Sequence, residues 1–269
     1  MKRIYLIVVS LFLFLVIAAC GDQASGENTN EEEGKGSLNR VQESEVLRVG
    51  FEGTFRPFNY LGDDNEYIGF DVDIANELAD RLGVETEFVA TSWDSLIGGL
   101  QSDKFDVIIA QMTVTEERKE SVDFTDPYVV TGSVLITREE TDDISVLEDI
   151  EGKKVGVGGG TTFEEVANSV EGADVTLYKT VNDYIQDLLN GRLDVIINDQ
   201  LLMSHNIQEE DLAIKIVSDI LNKDEIGMAV KKGSDDLVAK LNEELENMHE
   251  DGTYAEIYKA WFDSEPLIK

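Results

Sequence analysis

From Leu47 onward the apolar and polar positions switch between two periods. LRVGF is an apolar run of strand length, and FDVDIANELADRLG then sets Ile74, Leu78 and Leu82 at helical spacing. TEFVA returns to a strand, DSLIGGLQ predicts a helix, and FDVIIA predicts a buried strand. Strands and helices in alternation predict an α/β domain.

The pattern also echoes itself. Asp94-Ser95-Leu96-Ile97-Gly98-Gly99-Leu100 leads to Lys104-Phe105-Asp106-Val107-Ile108-Ile109, and Asn182-Asp183-Tyr184-Ile185-Gln186-Asp187-Leu188 leads to Arg192-Leu193-Asp194-Val195-Ile196-Ile197 with the same apolar spacing. Either two related helix-to-strand units occupy the two halves of the chain, or buried α/β strands simply look alike. If the units are related, geometry follows. Ligands of open α/β sheets sit beyond the carboxyl ends of strands, so the first unit presents Ala110-Gln111-Met112-Thr113 and Arg118, and the second presents Asn198-Asp199-Gln200. A guanidinium on one loop and a carboxylate on the other match a zwitterion, and arginine can grip a carboxylate through two parallel hydrogen bonds.

Each residue also has a plainer reading. Arg118 could pair at the surface with Glu116, Glu117 or Glu120, and Asp199 could cap a helix. The run Val155-Gly156-Val157-Gly158-Gly159-Gly160-Thr161-Thr162-Phe163-Glu164-Glu165 lacks the lysine of a phosphate loop, and Thr161 stands where the dinucleotide fingerprint needs its last glycine. It predicts a strand, a glycine turn and a helix capped by Thr161 or Thr162 with Glu164 or Glu165. Such a helix start can bind a carboxylate. Phe55 and Trp93, in loops after strands, could wall a pocket. His205 and His249 are too far apart for a local metal motif, so no metal and no cofactor are expected.

Composition narrows the partners. The 269 residues carry 22 Lys+Arg against 56 Asp+Glu, a formal net charge of -34, which disfavours nucleic acid and anionic membrane surfaces. The first residues, MKRIYLIVVSLFLFLVIAACG, combine two basic residues, an apolar run and small residues before Cys20, a secretory signal pattern over residues 1–19. Ile17-Ala18-Ala19-Cys20 resembles the lipobox of bacterial lipoproteins, which implies lipidation of Cys20 and anchoring in a membrane. Cys20 is also the only cysteine, so an internal disulfide is excluded. Residues 20–44 are polar and without apolar period, and predict a disordered tether.

Taken in order, EGTFRPF, GFDVDIANELADRLG, SWDSLIGGL, QMTVTEERKESVDFTDPY, GKKVGVGGGTTFEE, GRLDVIINDQ and DGTYAEIYKAWF resemble the family 3 extracellular solute-binding proteins over nearly all of Leu47 to Phe262. These serve polar amino-acid ABC transporters. The resemblance implies a two-lobed, periplasmic-binding-protein-like (Venus flytrap) fold of type II with two crossover strands. Lobe 1 would be residues 45–130 plus 227–264 and lobe 2 residues 134–223, with hinges near Thr131 to Val134 and Asp224 to Gly227. It implies that Arg118 grips a ligand α-carboxylate with the backbone N–H groups of Thr113 and Thr162. Asp199 would take the α-ammonium with the Gln111 carbonyl and the Thr113 hydroxyl, and Glu52, Phe55 and Trp93 would line the side-chain pocket.

Glu52-Gly53-Thr54, Trp93-Asp94 and GGGTTFEE look most like the cystine-binding subgroup, while Glu52 could also meet a cationic side chain or a glutamine amide. The expected partners are an amino-acid ligand, an ABC permease and its ATPase. The expected form is a monomer held on the outer face of a Gram-positive membrane. Some relatives of this fold are dehydratases, and Glu52 is the one acid or base nameable for such chemistry; a sensory binding protein is a further alternative.

Overall fold

The computed structural model describes residues 36–264 and Pro266. The signal segment 1–19, Cys20 and most of the expected tether lie outside the described residues. Two sheets organise the rest. In the first, strands run in the order Glu85–Ala90, Val46–Phe51, Val107–Ile108, Ala229–Lys231, Val122–Phe124. The first three are parallel, and Ala229–Lys231 is antiparallel to both its neighbours. In the second the order is Asp174–Tyr178, Lys154–Gly158, Val195–Asp199, Val129–Arg138, Ile214–Ile216, again parallel over the first three. A small sheet of Thr54–Phe55, Asn59–Leu61 and Tyr67–Ile68 flanks the first.

The halves are joined by two strands that lie side by side. Asn222–Ile226 pairs antiparallel with the first part of Val129–Arg138, placing Thr131 opposite Asp224 and Val129 opposite Ile226. Gly132 is needed there, because a Cβ would fall 2.2 Å from the Asn222 carbonyl oxygen. Two sheets of matching order linked by two crossover strands make the two-lobed α/β architecture.

The sequence echo has a packing cause. Phe105 lies where a Cβ on Gly50 would meet its ring at 2.5 Å, and Leu193 lies where a Cβ on Gly156 would meet its methyl at 2.3 Å. Gly50 pairs with Ile108, and Gly156 with Ile196. The aspartate of each unit does the same work: Asp106 accepts from the Arg48 backbone N–H at 3.1 Å, and Asp194 from that of Lys154 at 2.9 Å. The Asp-Val-Ile-Ile strands are buried on both faces, with Ile196 in one core and Val195 and Ile197 in another. Burial on both faces makes their sequence a continuous apolar run instead of an alternation.

One expectation is corrected. Ser37–Ser44, read as part of the tether, is a helix whose Val41 is 1 % exposed and belongs to the main core. Its start is tied to the helix Asp235–Asp251 by Ser37 to Ser234 at 2.6 Å and by the Leu38 N–H to Asp236 at 3.0 Å. Two apolar residues, Leu38 and Val41, are too few to establish a period, so this segment is helical through its tertiary partner.

Candidate functional site

Arg118 is built into place by the chain that follows Val107–Ile108. Gln111 turns the backbone at φ +55°, Thr113 bridges to Ile226, and Thr115 caps a one-and-a-half-turn helix, Glu116–Ser121. Arg118 therefore sits on a helix, where the sequence reading had a loop. Its guanidinium donates to the Thr113 carbonyl at 2.8 Å and, across to the other half, to the Gly160 carbonyl at 3.2 Å. It also lies 5.3 Å from the Trp93 ring centroid, within cation–π range. Among the described residues it makes no ion pair, and Glu116 instead binds Lys119 at 2.8 Å. Burial pulls its pKa down, against the raising fields of Glu165, Glu117 and Asp224.

Asp199 ends the strand Val195–Asp199 and is 5 % exposed. It does cap a helix: one carboxylate oxygen accepts from the Leu202 N–H at 2.8 Å, at the start of Gln200–Glu210. The other accepts from the Thr131 hydroxyl at 2.6 Å. An ionised carboxylate has about four acceptor directions, so the capping role leaves room for a further donor. Burial raises its pKa to about 6, opposed by the Thr131 and Leu202 hydrogen bonds and reinforced by the Asp224 charge.

One cavity between the sheets gathers all eight residues singled out in the sequence: Glu52, Phe55, Trp93, Gln111, Thr113, Arg118, Thr162 and Asp199. The two halves touch around it. The Trp93 indole donates to the Gly160 carbonyl at 3.1 Å, and the Thr113 and Thr162 hydroxyls stand 3.5 Å apart. Thr161, not Thr162, caps the helix Thr162–Asn168, which leaves the Thr162 side chain to the cavity. Glu164 closes the glycine turn by accepting from the Gly160 N–H at 2.7 Å. Phe55 stacks on Phe58 at 5.7 Å. Glu52 is held up to about 7, first by burial and then by the nearby charge of Asp94.

The site has members that sequence reasoning missed. Asp224 lines the cavity with a pKa raised to about 6, chiefly by burial, while Arg118 lowers it. It lies on NKDEI, a stretch without apolar period, and only the pairing with Thr131 brings it in. Behind Gln111, the wholly buried Asp71 accepts from the Gln111 amide at 2.7 Å, the Asn59 amide at 2.8 Å and the Tyr128 hydroxyl at 2.9 Å. That network sets the turn from which Thr113 and Arg118 project. Among the described residues no group of His, Cys, Asp and Glu has the arrangement of a metal site, and no helix is long and apolar enough to cross a membrane.

An interlobe cavity with a guanidinium contributed by one half and a carboxylate by the other defines a two-lobed receptor for small solutes. Residues 47–264 match the bacterial extracellular solute-binding proteins, family 3, and the chain belongs to that family. It is 37% identical over 233 residues to the L-cystine-binding protein TcyJ of Escherichia coli, covering 86% of this chain and 88% of that protein. It is 31% identical over 269 residues to the L-cystine-binding protein TcyA of Bacillus subtilis, covering 98% and 99%. Among solved structures, a mutant of ArgBP from T. maritima is similar at a TM-score of 0.80 and 34% identity, covering 85% of this chain and 100% of that one.

Proposed function

We propose that this protein is the extracellular substrate-binding component of an ABC importer, that it captures a polar L-amino acid between its lobes, with cystine favoured, and that it delivers this ligand to a membrane permease driven by its ATPase. The observation that carries the reading is that Arg118 and Asp199 come from different halves of the molecule, line one cavity, and are not paired with each other. A zwitterion supplies the missing partner to each. Arg118 then takes the α-carboxylate, with the N–H groups of Thr113 and Thr162, and Asp199 takes the α-ammonium, with the Gln111 carbonyl and Thr113 hydroxyl. Glu52, Phe55 and Trp93 meet the side chain.

Residues 45–130 plus 227–264 act as one lobe and 134–223 as the other, hinged near Thr131 to Val134 and Asp224 to Gly227. Ligand shifts the population toward the closed form through contacts made only there. The signal segment 1–19 is removed, and the chain works as a monomer lipidated on Cys20 at the outer face of a Gram-positive membrane. The names of TcyJ and TcyA support cystine; the similarity to ArgBP keeps a cationic amino acid, with its side chain toward Glu52 and Asp94, as the competing cargo.

Glu52 at about 7 also favours a second reading, an enzyme of the dehydratase kind, because a general acid or base works best near the ambient pH. The relatives named above are binding proteins, and a carboxyl beside Asp94 serves a binding pocket equally well. Thermal unfolding of the domain from residue 36 onward, against the common amino acids and cystine, tests both readings. A true ligand at about 100 times its Kd adds about 2.7 kcal/mol of stability, and mass spectrometry should recover it unchanged. No rise with any of these compounds, or a converted ligand, would overturn the binding-protein reading.

A further inference from the structure

The cavity wall contains two tyrosines that use their hydroxyl protons differently. Tyr178, at the end of the strand Asp174–Tyr178, donates to Asp187 at 2.7 Å. Tyr184, on the helix Val181–Leu189, is 2 % exposed, lines the cavity, and stands edge-on to Tyr178 with 5.8 Å between ring centroids. Among the described residues, its hydroxyl makes one hydrogen bond, with Asn198 at 2.5 Å.

Asn198 fixes the direction of that bond. Its side-chain carbonyl oxygen accepts from the Asp199 backbone N–H at 2.7 Å, and a backbone N–H can only donate. The amide nitrogen therefore faces Tyr184 and donates to it. The phenol oxygen is thus the acceptor, and its own proton is left for another partner, which no described residue supplies. By contrast, the hydroxyls of Thr131, Thr161 and Thr180, also in the cavity wall, donate to Asp199, Gly158 and Asp183. The hydroxyl of Tyr184 lies in the fields of two cavity residues, Glu52 from the first half and Asp199 from the second. Burial first, and then these charges, raise its pKa, so it stays protonated and remains a donor.

We infer that Tyr184 is a specificity-determining residue, whose hydroxyl donates to an oxygen on the ligand side chain and so selects side chains that bear an acceptor. This rests on the function proposed above, with the α-amino-carboxylate head on Arg118 and Asp199. It deepens that reading to amino acids with an oxygen beyond the head, such as glutamine or cystine. A guanidinium or ammonium side chain offers donors only, and an alkyl chain offers nothing. Either would close the cavity over an O–H without an acceptor, and an unmade buried hydrogen bond costs more than a made one contributes.

The test is calorimetric titration of the domain from residue 36 onward, comparing wild type with Tyr184→Phe and Arg118→Ala. L-glutamine and L-cystine carry such an oxygen; L-norleucine and L-arginine do not. Wild type should bind at least one oxygen-bearing compound about fivefold or more tightly than L-norleucine. Tyr184→Phe keeps the ring and removes the proton. It should weaken the oxygen-bearing compounds about fivefold and leave the other two within about twofold. The same change takes from Asn198 its acceptor, so a lower Tm of the free protein follows under any role of Tyr184, and the Kd ratio between the two classes is the readout. Equal loss on both classes would make Tyr184 a positioning residue for the adjoining Asn198 and Asp199 and overturn the proposal, as would no loss on either. If Tyr184→Phe does not fold, the wild-type margin over L-norleucine decides, and its absence overturns the proposal. Arg118→Ala should weaken both classes; if it weakens neither, the reading of the α-head fails separately. Binding confined to L-arginine or L-norleucine sinks the role of Tyr184 alone, and binding of none of the four sinks both.

Discussion

Acidification gives the sharpest handle on Asp199. Its pKa in the free protein is raised to about 6 by burial, and a ligand ammonium prefers the ionised form. The bound-state pKa must then be lower, so binding releases a proton below about pH 6 and affinity falls as the pH falls. At pH 5 only about a tenth of the protein carries ionised Asp199, against nearly all at pH 7.5, so the Kd should rise about tenfold, or about 1.4 kcal/mol, between these values.

Other groups overlay this slope. Asp224, also near 6, faces Arg118, so a bound carboxylate favours its protonated form and works in the opposite direction; Glu52, near 7, responds to the side chain. The quantity to measure is therefore a ratio of ratios. Asn at position 199 keeps a cap on Leu202 but cannot titrate. Isothermal titration at both pH values should give a Kd ratio, pH 5 over pH 7.5, about tenfold larger in wild type than in Asp199→Asn. The same ratio in both proteins would refute the ammonium assignment.

Further outcomes follow from the other contacts. Arg118→Ala should fold, because its partners are carbonyls that water can serve, yet should weaken every amino-acid ligand by about 2–5 kcal/mol in calorimetry. Unchanged affinity would remove the carboxylate role. Phe55→Ala and Trp93→Ala should reorder the preference among ligands in a competition panel instead of scaling all affinities equally, since both line the cavity and are proposed above to meet the ligand side chain. Starting the chain at residue 45 should cost about 2–3 kcal/mol in urea unfolding, because it exposes the surface under Val41 and Leu38, and should leave ligand affinity alone. A full-stability truncation would mean that the helix Ser37–Ser44 does not support the core.

Much of this architecture was legible in local patterns. Ile74, Leu78 and Leu82 mark the buried face of the helix Phe70–Leu82, and the echo around Asp106-Val107 and Asp194-Val195 is a repeated unit in which a large apolar side chain fills the space over a glycine in the neighbouring strand. Such features are written within a few residues of one another, so periodicity and spacing carry them. The arginine and the aspartate were likewise visible, because each closely follows a recognisable buried strand.

What the chain's order could not convey is adjacency across the crossover. Thr131 steadies Asp199 from 68 positions away, Asp224 joins the cavity only through its pairing with Thr131, and Arg118 shares the Gly160 carbonyl with Trp93 although the three belong to separate segments. The same folding buries Asp199 and Asp224 enough to lift both to about 6, which no residue identity announces. By itself the sequence determined the elements, the repeated unit and the residue types offered at strand ends, since these depend on near neighbours. Only the tertiary structure decided which of those residues face one cavity, and how strongly burial alters their charge, because desolvation depends on everything packed around a group and not on what precedes it in the chain.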